Sequence, residues 1–305
     1  MIEITSVRQK RFLKNFLEAG SAIGLADVGS GGKLKFPWEN LPIKWLHKID
    51  FEPCTSDLPV CVSDKVGRAD FFVAHDERAS SLHEANLAFV ERFAQESMLP
   101  KNILSVQCTT LDSTLEGRYD IVDALDINVE GHDFQVLKGA ERLLKDGFIK
   151  LLKIEFEIAL AWDKQGWFSD IEAFLRGMGF DLVNIEIDYI RPANVAHIDY
   201  KGEPVWGKAY FVPCPALLQD YIYRTNPIDR ENHFRKAIAL LVAANLIGRA
   251  FDVIDVSAQF SLTIKPLLLK RSIAEIYAWR RMERGLEIFS RLVRAVFRPF
   301  FFTRA

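Results

Sequence analysis

The stretch from residue 121 to residue 144, IVDALDINVEGHDFQVLKGAERLL, constrains the fold more than any other part of the chain. It opens as a short apolar strand over 121–127, interrupted by Asp123 and Asp126. It breaks over 128–133, then resumes with helical spacing through Phe134, Val136, Leu137, Ala140, Leu143 and Leu144. Asp133 is placed to cap that helix and Gly147 to end it. A polar turn between a buried strand and a helix lies at the carboxyl edge of an open α/β sheet, where such folds bind ligands.

The flanking segments repeat the alternation. A helix is expected over 5–18, then strands over 23–28, 48–51 and 60–63, the last with a hairpin partner at 69–74. Helical character follows over 83–93, a strand over 103–108, and a long apolar strand over 149–158 that reads as buried and parallel. A helix over 170–178 and strands over 181–188 and 208–212 complete this part. The fold class is therefore α/β, a doubly wound Rossmann-like sheet with helices on both faces. From Pro213 and Pro215 onward the pattern becomes helical alone. The expected division is an N-terminal helix over 1–20, an α/β domain over 21–214 and an all-helical C-terminal extension over 215–305.

A net charge of −2 gives no general reason to expect nucleic acid. No segment reaches the roughly 18 consecutive apolar residues of a membrane span, and 237–247 is too short. Cys54, Cys61, Cys108 and Cys214 form no CxxC pair, so reduced core thiols and a cytoplasmic location are expected. No metal-ligand spacing stands out, although Glu155 and Glu157 share a strand face and need either basic partners or a polar site. His47, His75, His83, His197 and His233 read as surface or loop residues.

The first strand runs into Asp27–Val28–Gly29–Ser30–Gly31–Gly32, and Glu52 ends the second. Glycines there admit a ligand to the backbone, and an acid ending the second strand is placed to bind ribose hydroxyls. A dinucleotide fingerprint wants a third glycine where this chain has Leu34. An acid before the first glycine, Asp27, suits an ammonium group, which S-adenosylmethionine carries beside its ribose. In the central turn, Asp126, Asn128 and Glu130 are spaced by two and share one face if the strand continues that far. His132 is the first choice for a base that removes a hydroxyl proton.

These motifs, taken together, resemble the FkbM family of S-adenosylmethionine-dependent methyltransferases. That family reads roughly DVGAxGG, FEP, ALSDxxGxATFxV, SSL, TLD, LKIDVEGHExxVLKGA, EFE, GF and DALF. This chain offers DVGSGG at 27–32, IDFEP at 49–53, CVSDKVGRADFFV at 61–73, SSL at 80–82 and TTLD at 109–112. It continues with ALDINVEGHDFQVLKGA at 124–140, KIEFEI at 153–158, FLRGMGFDL at 174–182 and WGKAYFV at 206–212. The resemblance implies a class I methyltransferase fold and methyl transfer to an oxygen of a sugar, glycan or related metabolite. It also implies that Asp27, Gly29, Ser30 and Gly31 face the methionine part of the cofactor. Glu52 would then hold the ribose, with Ser63 or Asp64 bordering the adenine. Two departures stand out: Asp126 and Asn128 replace a lysine and an aspartate, and Lys208–Ala209–Tyr210–Phe211 replaces DALF. A non-catalytic binding module and a nicotinamide-dependent sugar-nucleotide enzyme are the alternatives.

The end of the chain carries an amphipathic pattern. Trp279, Met282, Leu286, Phe289, Val293 and Val296 share one helical face, with Arg280, Arg284, Arg291, Arg294 and Arg298 opposite. Such a helix suits peripheral contact with the inner membrane face, or packing on its own domain or a second subunit.

Overall fold

Every residue of Ile23–Val28 is buried, and a strand hidden on both sides belongs inside a sheet covered on each face. A computed structural model describes residues 4–17, 22–29, 31, 33–51, 60–260 and 265–278. Its strands are β1 Ile23–Val28, β2 Leu46–Phe51, β3 Cys61–Val62, β4 Gly67–Ala74, β5 Pro100–Thr109, β6 Ala124–Ile127, β7 Leu151–Glu157, β8 Phe180–Ile190 and β9 Glu203–Pro213. Its helices are α1 Ile4–Phe16, α2 Leu87–Phe93, α3 Leu111–Thr114, α4 Asp133–Lys138, α5 Glu141–Asp146, α6 Phe168–Gly177, α7 Pro215–Arg224, α8 Arg230–Ala243 and α9 Ile247–Ala258, followed by a helix over 266–278.

The main sheet has the order β2-β1-β6-β7-β9-β8. β2, β1, β6 and β7 are parallel, and β9 enters antiparallel between β7 and β8. The order reverses between β1 and β6, which makes that junction the switch point where an open α/β sheet opens a crevice. The expected α/β class and the Rossmann-like sheet are what the structure has.

The two faces differ. On one, Ala26, Val28, Leu125, Ile127, Leu152, Ile154 and Phe211 pack beneath α4, α5 and α6. On the other, Ile23, Leu25, Ala124, Leu151, Tyr210 and Val212 pack beneath α1, α7, α8, α9 and Ile273. Helices from opposite ends of the chain thus share one core with the sheet. The apolar run at 237–247 is explained by α8, whose residues from Phe234 to Ala243 are buried, apart from the half-buried Arg235.

Three local expectations are corrected. β3 does not pair with β4: β5 lies between them in a separate three-stranded sheet, parallel to β3 and antiparallel to β4. The helix expected over 134–144 is two helices, because Asp112 accepts hydrogen bonds from the backbone N–H of Arg142 at 2.9 Å and Leu143 at 2.8 Å and so caps a fresh start. Gly139, at the break, lies against β3's end, where a Cβ would come 2.0 Å from the Ser63 carbonyl oxygen. His233 is not a surface residue: it stacks on Phe148 with centroids 4.8 Å apart, and burial holds its imidazole well below the ordinary range, at about 3.

Candidate active site

β1 ends in a turn that only glycine can make. Gly29 has φ +86°, and a Cβ there would lie 1.9 Å from the Asn128 carbonyl oxygen. The turn is thereby seated on the loop after β6, and the Asn128 N–H donates to the Val28 carbonyl at 2.9 Å. Gly31 also has positive φ, and a Cβ there would meet nothing within 4 Å.

Register then assembles a polar row across the sheet. Asp27 lies opposite Asp50 on one side and Asp126 on the other. Asp126 is level with Lys153, Lys153 with Tyr210, and Tyr210 with Asn184. Aligned residues on neighbouring strands project from the same face, here the one that holds Leu25, Leu151 and Val212 toward the amino ends of the parallel strands. A second row, one pleat further up, aligns Glu155, Lys208 and Glu186. This face is therefore apolar below and charged above.

The charges are largely paired. Lys48 bridges Asp27 at 2.9 Å and Asp50 at 2.6 Å. Burial alone would lower the Lys48 ammonium's pKa, but hydrogen bonds to Asp50 and Asp27 outweigh it and the net shift is upward. Asp126 accepts from Lys153 at 3.0 Å and from the Trp38 indole at 2.6 Å, both on Oδ2. Its Oδ1 and the Asn128 Oδ1 are shielded from solvent and meet no donor among the described residues. Both oxygens belong to residues at the switch-point edge of β6.

Above them, burial raises the carboxyls of Glu130, Asp133, Glu155 and Glu157 above the usual range. Mutual repulsion adds to it: Glu155 and Asp133 act on Glu130, Glu155 acts on Asp133, and Asp133, Glu155 and Glu130 act on Glu157. For Glu155 the desolvation is opposed by Lys208, Lys35 and Lys153. Among the described residues no group of His, Cys, Asp and Glu is arranged to hold a metal ion.

His132 is 8% exposed and has both ring nitrogens engaged. Nε2 lies 2.9 Å from Ser63 Oγ, and Nδ1 lies 3.0 Å from His83 Nε2. Burial, then the neighbouring His83, push the His132 pKa down to about 3, so the ring is neutral near pH 7. Asp64 accepts from Ser63 Oγ at 3.2 Å and from Lys138 at 3.2 Å.

A family model described as the methyltransferase FkbM domain matches residues 27–182, about half the chain and the whole of the switch-point region. The chain belongs to the FkbM methyltransferase family. No match was found among the curated proteins compared with it.

In this methyltransferase, the family's motif residues have identifiable work. Ser81 of SSL donates to the Glu130 carbonyl at 2.6 Å and steadies the central turn. Asp112 of TTLD caps α5. Gly131 of VEG packs so closely on Trp162 that a Cβ would come 2.6 Å from its ring.

Of the residues expected to act together, the fold brings Asp27, Gly29, Gly31, Asp126 and Asn128 to one edge. Ser63, Asp64 and His132 form a neighbouring group. Glu130 does not continue the face of Asp126 and Asn128: β6 ends at Ile127 and Glu130 turns at φ +56°. Ser30, Glu52, Cys54 and the amphipathic helix over 279–296 lie outside the described residues.

Sequence reasoning missed Trp38, Lys48 and Lys153, which hold the two aspartates, and read His83 as a surface or loop residue although it contacts His132. The apolar-to-charged change along L-x-K-x-E at 151–155 was the available signal for one of them, Lys153. The departures from the family pattern also acquire a structural reading. The cation missing at 126 is supplied one strand over by Lys153, and Lys208 stands level with Glu155.

Proposed function

We propose that this methyltransferase moves the methyl group of S-adenosylmethionine to a hydroxyl, on a sugar, glycan or related metabolite. The observation that carries the reading is the seating of the Gly29 turn on Asn128, with acceptor-only oxygens of Asp126 and Asn128 beside it. Both partners in such a reaction bring donors to that edge: the cofactor its ammonium and ribose hydroxyls, the substrate its hydroxyl. In this reading Asp27, Gly29, Ser30 and Gly31 receive the methionine part, Glu52 the ribose, and Ser63 and Asp64 the adenine edge.

The bound cofactor supplies an electrophilic methyl on a sulfonium, and the chain's task is to place the oxygen in line with it and receive its proton. His132 acts on that proton only through Ser63, since its own nitrogens are engaged. Glu155, on the strand beside Asn128, is the carboxylate assigned here to take the proton directly. Its pKa, raised by burial to about 7, leaves a large fraction ionised at neutral pH.

Calorimetry with S-adenosylhomocysteine tests the cofactor assignment. Asp27→Ala and Glu52→Ala should each weaken binding at least tenfold, and unchanged affinity in both would sink it. Methyl transfer to a panel of glycans tests the chemistry. Activity should fall as pH drops through about 7, as Glu155 takes up its proton. Glu155→Gln should lose most of that activity while retaining cofactor affinity.

A further inference from the structure

A cleft of about 620 Å³ opens beside the charged half of the sheet face, between β8 and the turn that joins α8 to α9. Its polar walls are Asn184 and Glu186 from β8, and Asn245, Arg249 and Asp252 from the helical side. Phe36 supplies an aromatic wall and meets Tyr210 edge-on at 6.4 Å. Apart from Phe36, all these residues lie beyond the span 27–182 that defines the family domain.

We infer that this cleft is the recognition site for a neutral, hydroxyl-rich part of the acceptor, a sugar unit linked to the one that is methylated. The inference rests on the methyltransferase reading for its word acceptor, and on four observations for the rest.

The first is position. Asn184 is in the same sheet row as Asp126, three strands away, which at the usual strand spacing is about 14 Å. Glu186 is in the row of Glu155 and Lys208. The cleft therefore lies at the far end of the two rows that start at the switch point, at a distance longer than one sugar ring.

The second is charge. Arg249 is the only cation lining the cleft among the described residues, and it already pairs with Asp181 at 2.6 Å and with Asp252 at 3.8 Å. An anionic ligand would meet Glu186 and Asp252 without a spare positive group, whereas a neutral one does not incur that repulsion.

The third is hydrogen-bond chemistry. The Asn184 amide and the Glu186 and Asp252 carboxylates, from two elements, line one opening and are groups that can accept from hydroxyls, with the aromatic ring of Phe36 beside them. Sugar rings present hydroxyls at their edge and C–H groups on their face, so they match both kinds of wall.

The fourth is that a departure from the family pattern shapes this wall. Tyr210, which stands where the family has leucine, donates its hydroxyl hydrogen to Glu186 at 3.2 Å and so orients a carboxylate of the cleft.

Saturation-transfer NMR on the full-length chain, with a panel of neutral di- and trisaccharides and their sulfated or uronic-acid counterparts, tests this. S-adenosylhomocysteine affinity is measured in parallel. Neutral saccharides should bind the wild type in preference to the charged ones. Asn184→Leu, which replaces the amide by an apolar group of similar shape, should weaken that binding at least tenfold and leave cofactor affinity unchanged. Glu186→Gln, nearly identical in shape, should weaken it severalfold, which covers the case in which the leucine variant folds poorly. No binding of any neutral saccharide, preference for the charged set, or equal binding by both variants would overturn the inference. Loss of cofactor binding in the wild type would count against the proposed function instead, and saccharide binding would report on the cleft regardless.

Discussion

Single side chains decide how the central turn behaves as pH changes. His132 is held neutral between Ser63 and His83, with a pKa of about 3 in the fold against about 6.5 in an unfolded chain. A depressed value means that the stabilisation is fully present above about pH 6.5 and is lost as pH falls toward 3. His233, also at about 3, contributes with the same sign. The raised carboxyls of Asp133 and Glu155 contribute with the opposite sign, losing stability as pH rises through their folded values. The difference between wild type and His132→Asn isolates the first effect. Denaturant titrations between pH 6.5 and 5.5 should show the wild type losing about 1 kcal/mol more than the variant. Parallel pH dependence of the two proteins would show that His132 accepts a proton without penalty.

Between elements, a buried charge cluster ties the C-terminal helices to the sheet. Asp123, fully buried just before β6, accepts from Lys150 at 2.6 Å, from Lys236 of α8 at 2.9 Å and from the Gly24 N–H at 2.9 Å. Burial alone would raise the Asp123 carboxyl, but Lys150 and Lys236 outweigh it and hold it below the usual range. Removing the acid leaves two lysines facing each other out of water, whereas removing Lys236 leaves one matched pair. Asp123→Asn should therefore cost about 3–5 kcal/mol, and Lys236→Met clearly less. Chemical denaturation of both variants checks the order, and the reverse order would mean that α8 is held mainly by its lysine. The capping of α5 by Asp112 belongs to the same scale. Helical periodicity ran unbroken through Gly139, and only a carboxylate from another element could supply the acceptor that starts a new helix there.

For the whole molecule, the helices after residue 214 complete the sheet. Leu25, Leu151 and Val212 share one buried cluster with Phe234, Ile238, Leu241 and Ile254. Their composition change at Pro213 and Pro215 reads as a boundary, but their apolar surfaces are spent on the sheet's own face. A chain ending at Cys214 should lose near-UV circular dichroism and bind a hydrophobic dye, because one whole face of the sheet would open to water. A soluble, cooperatively melting fragment would show instead that the 21–214 segment stands alone.

The sequence by itself determined the α/β alternation, the strand that carries Asp27, the glycine turn, the polar break after Ile127 and the family. Each of these is written in a period of two or of 3.6, or in a short contiguous motif. Only the tertiary structure decided that Lys153 and Trp38 hold Asp126, that His83 meets His132, that β5 separates β3 from β4, and that α8 covers β1 and β7. Those pairings depend on register between strands and on which layer lies over which face, and one strand's own alternation carries neither.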